Sequence, residues 1–144
     1  MPNLTRIAVV LTLTAPLALA IGCGDANGRQ RISGQVTLDG QPLPNGSVSL
    51  RPIGTGPLAV GRIEDGKFIL GSDKGPLPGA YLIEIESQQK TGNQVALVDN
   101  PSIKIDETEQ VIPPNYNERS ELRIDVKPGG GNHFEFELTG NQPQ

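Results

Sequence analysis

Apolar residues recur at every second position along most of this chain, and this period restricts its fold more than any other feature. In residues 31–38, Ile32, Val36 and Leu38 fall on one face, while polar side chains such as Ser33 fall on the other. Such alternation, rich in β-branched residues, is typical of a strand with one buried face. We find no helical period after residue 30. The pattern predicts seven strands, at residues 31–38, 47–51, 58–64, 67–70, 80–87, 121–126 and 133–138.

The alternation also predicts which side chains form the core. The sequence has no Trp, so its few Phe and Tyr residues have to supply the large buried areas. The third strand is the least regular, and there Val60 is expected to point inward, with Ile63 left open. The full set expected to face inward is Ile32, Val36, Leu38, Val48, Leu50, Val60, Phe68, Leu70, Tyr81, Ile83, Ile85, Leu122, Ile124, Val126, Phe134, Phe136 and Leu138.

Turn residues separate these segments. Glycine (18) and proline (13) occupy 31 of the 144 positions, and the pairs Asp39-Gly40 and Asp65-Gly66 suit two-residue hairpin turns with positive φ. Many short strands with closely spaced turns favour an all-β fold. We therefore expect one seven-stranded antiparallel β-sandwich over residues 31–139, after an N-terminal signal segment and before a flexible tail at 140–144.

One segment, residues 88–117, interrupts the pattern. It is polar and contains Gly92 and three prolines, so we expect a long loop, which in a small domain is usually functional or mobile. Within it, residues 95–98 and 102–105 are apolar enough for edge strands. The run around Tyr116, beside paired prolines, is expected to be ordered.

The N-terminus resembles an export signal. Residues 1–6 carry one positive charge, and the apolar run 7–21 is too short for a comfortable membrane span. The run ends in Leu19-Ala20-Ile21-Gly22-Cys23, which resembles the lipobox of bacterial lipoproteins. That resemblance implies a signal peptide at 1–22, an acylated Cys23 and a polar tether at 23–30. The alternative is a general secretory signal cut after Ala20, which would leave Cys23 as a free thiol.

Charge restricts the partners of the exported chain. Loss of residues 1–22 removes Arg6, which leaves 11 basic against 16 acidic side chains and a net charge of −5. An acidic domain without a basic patch is a poor binder of nucleic acid and of anionic lipid headgroups. Any attachment to a membrane is therefore expected to depend on the lipid at Cys23.

Three segments together resemble the carboxypeptidase regulatory-like domain. They are residues 33–48, with Ser33-Gly34 and Asp39-Gly40, residues 64–70, and residues 77–85, with Pro78-Gly79. The closing segment 112–138 is similar to that of small bacterial lipoproteins with this domain. The resemblance implies a transthyretin-type β-sandwich that serves as an accessory or adhesive module without catalytic residues. A shared fold does not by itself establish a shared function.

Candidate chemistry is sparse. His133 is the only histidine, which restricts His-based catalysis and multi-histidine metal sites, and we expect it at the solvated end of a strand. The acidic run 106–109 lacks the glycine and spacing of a calcium loop. The carboxylate pairs expected on outward strand faces are Glu84 with Glu86 and Glu135 with Glu137.

We therefore expect no catalytic, cofactor-binding or metal-binding residues, and Cys23 as the single site of modification. A hydrolase is disfavoured because the sequence suggests no nucleophile–base pair. The sequence favours a non-catalytic module lipid-anchored at the cell envelope, facing the periplasm or the exterior, with an envelope protein or a glycan as its partner. The alternative is a soluble exported module that binds a small ligand or carbohydrate, for which Tyr116 is the candidate aromatic.

Overall fold

The computed structural model describes residues 28–140, which form ten strands and one turn of 3-10 helix. The expected signal peptide, Cys23, most of the polar tether and residues 141–144 lie outside the described residues. The elements are β1 (Ile32–Leu38), β2 (Gln41–Pro42), β3 (Asn45–Pro52), β4 (Ala59–Glu64), β5 (Lys67–Leu70), β6 (Gly79–Glu86), β7 (Gln88–Ala96), β8 (Lys104–Gln110), the 3-10 helix Pro114–Tyr116, β9 (Arg123–Val126) and β10 (Asn132–Leu138).

Most strands belong to one curled sheet with the order β10-β1-β5-β4-β3-β6-β9, and the short β2 pairs with β1. Strands β7 and β8 form a separate two-stranded sheet. Neighbours in the large sheet are antiparallel except for β1 and β10, which run parallel from the pair Ile32–Asn132 to the pair Leu38–Leu138. The prediction of an all-β fold is confirmed. The prediction of purely antiparallel pairing is wrong at β1–β10.

The two Asp-Gly pairs form the predicted tight turns. Asp39 and Gly40 have φ of 51° and 78°, and Asp65 and Gly66 have 48° and 73°. Positive φ at both central residues is the type I′ geometry, whose twist matches that of the flanking strands. Each turn therefore fixes the register of the strands that it joins.

The register between β4 and β5 explains why the inward face of β4 was predicted wrongly. Ile63 pairs with Phe68 across the turn at Asp65 and Gly66, so both side chains point into the core. Alternation then turns Val60 outward, where it is 52% exposed. Ala59, Gly61 and Ile63 are the buried residues of β4 because the hairpin, not the hydrophobicity of Val60, sets the face.

The core lies inside the curl of the large sheet. Every strand of that sheet except β2 contributes to it, and the 3-10 segment closes one side through the buried Ile112 and the half-buried Tyr116. Phe68 and Phe136 stack, with ring centroids 6.2 Å apart. Phe134, expected in the core, is only half-buried. The buried apolar residues are Ile32, Val36, Leu43, Val48, Leu50, Ala59, Ile63, Phe68, Leu70, Tyr81, Ile83, Ile85, Ile112, Val126, Phe136 and Leu138.

The expected loop at 88–117 is largely ordered β-structure. Residues 88–110 form the hairpin of β7 and β8, which we call the ribbon. The prediction of a long loop is wrong there, although the two apolar stretches suggested as edge strands do lie in or beside its strands. Sequence periodicity missed the rest because Gln, Asn, Thr and Gly dominate β7, so its alternation is not visible as hydrophobicity.

Candidate functional site

The ribbon is the most distinctive surface of the described chain. Its strands pair from Gln88–Gln110 to Ala96–Lys104, with a bulge between Lys90 and Gln94. The turn is closed by a hydrogen bond from the backbone N–H of Leu97 to the carbonyl oxygen of Ile103, at 3.0 Å. An isolated two-stranded hairpin is marginally stable in water, so this one depends on its base and its own cross-strand pairs.

The base of the ribbon is well anchored. Backbone N–H groups of Ser87 and Ile112 both donate to Oε1 of Gln110, at 2.9 and 3.1 Å, and the N–H of Val111 donates to the carbonyl of Ser87. Ser87 is 1% exposed, yet its Oγ has no hydrogen-bond partner among the described residues. Burial of this hydroxyl without a partner therefore slightly lowers the stability of the junction between ribbon and sheet.

Polar pairs hold the middle of the ribbon together. Oε2 of Glu107 accepts hydrogen bonds from Oγ1 of Thr91 at 2.7 Å and from Nδ2 of Asn93 at 3.1 Å, and these bonds lower the pKa of Glu107. Lys90 forms an ion pair with Asp106. The hydrogen bond from Lys90 lowers the pKa of Asp106, and a second from Gln94 acts in the same direction.

The distal half of the ribbon has an apolar face. Val95 pairs with Ile105 and Leu97 pairs with Ile103, so four aliphatic side chains lie on one face in two cross-strand rows. They are between 37% and 48% exposed, and Val98 at the turn is 96% exposed. We call these five residues the apolar strip. Contiguous exposed apolar side chains on a soluble domain mark interaction surfaces more often than isolated ones do.

The ribbon and residues 28–31, which we call the N-terminal segment, lie at opposite ends of the large sheet. The backbone N–H of Gln30 donates to the carbonyl of Pro76 at 2.7 Å, and Arg29 donates to the carbonyl of Gly75, just before β6 begins. The ribbon starts directly after β6 ends at Glu86. The eight residues of β6 span about 26 Å. The chain therefore enters the sheet at one end and projects the ribbon from the other.

The structure brings together a serine and a histidine that the sequence did not associate. Oγ of Ser33 lies 3.0 Å from Nδ1 of His133, and Nε2 of His133 lies 3.7 Å from Oε1 of Glu135. The parallel register of β1 and β10 causes this, because it pairs residues 100 positions apart. The expectation that the chain has no nucleophile–base pair is therefore wrong, because Ser33 and His133 lie within hydrogen-bond distance. The group is solvent-exposed, where water weakens the electrostatic effects that activate a nucleophile.

The other carboxylates singled out in the sequence have outward positions. Glu84 forms an ion pair with Arg51 at 2.8 Å, and Glu86 is exposed two residues further along the same face. Glu135 and Glu137 are exposed on β10, an edge strand of the large sheet. Within residues 28–140, no group of three or more His, Cys, Asp or Glu side chains has a geometry that could hold a metal ion.

Tyr116, the candidate aromatic for a carbohydrate, lines a shallow open groove with Asn115, Arg119, Glu121 and Leu122. Its hydroxyl oxygen accepts a hydrogen bond from the backbone N–H of Thr139 at 3.2 Å, and the ring packs against the core. Only part of the ring is thus available for stacking on a ligand.

Within residues 28–140 there is no helix long and apolar enough to span a membrane. No protein-family model matches the chain, and a search of curated proteins finds no match. Among solved structures, a 9R-lipoxygenase from Cyanothece PCC8801 is similar over 92% of this chain and 18% of its own, with 17% identity and a TM-score of 0.32. The chain thus spans less than a fifth of that structure's length, and so low a TM-score supports no inference.

Proposed function

We propose that this chain is a non-catalytic binding module, held at the cell envelope by a lipid on Cys23. The observation that carries the proposal is the opposite placement of the N-terminal segment and the ribbon. Cys23 is six positions before Arg29, so at most about 22 Å of chain separates the proposed anchor from the first side chain that bonds to the folded domain. The anchored end then faces the membrane, and the ribbon extends away from it.

The composition of the surface supports a binding role. The ribbon presents aliphatic side chains to solvent, which costs free energy unless another surface covers them. The transthyretin-type arrangement implied by the carboxypeptidase regulatory-like resemblance is part of this proposal, because such accessory modules bind through edges and loops. The Ser33–His133 pair has no part in it.

Lipidation can be tested independently of any partner. In cells fed a labelled palmitate analogue, we expect the label on the wild-type chain and none on Cys23→Ser. The substitution Ala26→Ser, three residues away, is the matched control and is expected to retain the label. Mass spectrometry of the mature N-terminal peptide locates the modification. An unlabelled wild-type chain, or a labelled Cys23→Ser variant, would contradict the lipid anchor.

A second candidate is a soluble exported module that binds a small ligand or carbohydrate in the groove at Tyr116. The groove favours it because Asn115 and Arg119 add hydrogen-bond donors beside an aromatic ring. A glycan array tests this directly. Glycan binding that Tyr116→Ala abolishes would support the second candidate over the first.

A further inference from the structure

We infer that the apolar strip is the docking surface for a protein partner that offers an apolar cleft bordered by basic side chains. The inference deepens the proposed function and rests on its binding role, though not on the lipid. It draws on three features of the ribbon: its exposed aliphatic face, the carboxylates that continue this face, and the direction in which it projects.

The position of the apolar strip at the end of the ribbon suits insertion into a cleft. Its two rows lie at the free end of the ribbon, with Val98 at the tip. The reverse face of this end carries Ala96 and Lys104, of which Ala96 is small enough to enter a narrow space. A cleft that closes on both faces and on the tip removes more apolar area from water than a flat surface can.

Acidic side chains on the ribbon indicate which charge the border of that cleft carries. Along β8 the alternation that puts Ile103 and Ile105 on the apolar face also puts Glu107 and Glu109 there, nearer the base. Successive side chains on one face are about 7 Å apart. The hydrogen bonds from Thr91 and Asn93 favour the ionised form of Glu107. A complementary partner therefore places Lys or Arg about 7–14 Å from its apolar cleft.

A second copy of the chain is a poorer occupant. Residues 88–110 contain two Lys and four Asp or Glu, so two ribbons repel each other with a net charge of −2 each. Face-to-face packing covers only one face of each ribbon. It would bury on the order of 400 Å² per copy, below the roughly 800 Å² per partner of a standard stable interface.

A lipid surface is also a poorer occupant. The N-terminal segment joins the sheet beside Gly75 and Pro76, whereas the ribbon leaves from the opposite end. The net negative charge of the ribbon opposes contact with anionic headgroups.

Site-specific photo-crosslinking in intact cells tests the inference. A photoreactive amino acid at Val98 is expected to trap one protein species. The same amino acid at Val60, which is exposed on the outer face of β4, is the control and is expected not to trap that species. Adducts with a second copy, adducts with lipid, or no adduct at Val98 would each overturn the inference.

Binding by purified components gives the decisive readout. The trapped protein is titrated with the chain, in lipid nanodiscs if the chain carries lipid and in buffer if it does not. Ile103→Asp combined with Ile105→Asp is expected to raise Kd at least tenfold, whereas Val60→Asp combined with Ile69→Asp, at two aliphatic side chains exposed on the large sheet, leaves Kd within twofold. Glu107→Gln with Glu109→Gln is expected to raise Kd and to reduce its dependence on salt.

Apart from the half-buried Glu107, the substituted positions are exposed, so unchanged thermal midpoints verify that the sheet is intact. An affinity for the double aspartate variant within twofold of wild type would overturn the inference. So would an affinity that does not respond to the loss of both glutamates. Failure of palmitate labelling with intact strip-dependent binding would reject the lipid anchor alone, so the two failures are distinguishable.

Discussion

Gly34→Ala tests the parallel pairing of β1 with β10. On sequence grounds alone the substitution should stabilise a strand by about 0.5–1 kcal/mol, because alanine loses less backbone entropy than glycine. The structure predicts the opposite sign. A Cβ at this position would meet the backbone oxygen of Phe134, and it would lie 2.5 Å from Cε1 and Cζ of the Phe68 ring.

The expected loss of stability in Gly34→Ala depends on which atoms have to move to make room for the new Cβ. Phe68 is 2% exposed and stacks on Phe136, so its ring has no free space to enter, and the oxygen of Phe134 belongs to the paired strand. Overpacking of a filled core costs about 1–3 kcal/mol, and a backbone clash puts this site at the upper end, at about 3 kcal/mol. For a domain of this size that lowers Tm by roughly 10 °C or more.

Gly61→Ala is the matched control. Its Cβ would meet side-chain atoms, Cδ1 of Leu70 and, at 3.2 Å, Cγ1 of Val48, which rotamer changes can relieve in part. We expect about 1 kcal/mol there. Chemical denaturation followed by circular dichroism gives both free energies of unfolding. A Gly34→Ala variant as stable as wild type, or more stable than Gly61→Ala, would refute the β1–β10 register.

Three further predictions concern the junction, the core and the ribbon. Ser87→Ala removes a buried hydroxyl without a hydrogen-bond partner, so denaturation should show unchanged stability or a gain of up to about 1 kcal/mol. A loss of more than about 1 kcal/mol would mean that the hydroxyl does form a hydrogen bond. Tyr81→Ala should cost about 2–4 kcal/mol, since the ring is buried and its hydroxyl donates to the carbonyl of Leu77 at 2.9 Å, and half-buried Phe134→Ala should cost less in the same assay. The hydrogen bonds from Thr91 and Asn93 lower the pKa of Glu107 below its usual value of 4.5. These bonds to β7 are therefore fully formed above pH 4.5, and they are lost as the pH falls through the lower pKa of the folded chain. Amide NMR shifts of ribbon residues should record this loss, and Glu107→Gln should remove it.

Much of the fold was predictable because its determinants are local. Side-chain alternation marks strands wherever one face is buried, and the two Asp-Gly turns adopt the expected positive φ. The core aromatics Phe68 and Tyr81 followed from the same pattern. The features that failed, such as the inward face of β4, depend on a partner strand. Val60 is more hydrophobic than Gly61, yet the pairing of Ile63 with Phe68 decides which of them faces inward.

The sequence by itself determined the all-β class, the tight turns, the net negative charge and the place of Cys23. These properties depend on neighbouring residues, and short-range sterics and solvation act on them without reference to the rest of the chain. The tertiary structure alone decided the parallel β1–β10 pair, the approach of Ser33 to His133 and the projection of the ribbon away from the N-terminal end. Such features join residues up to 100 positions apart, and only the packing of the whole core selects among the many registers that local patterns allow.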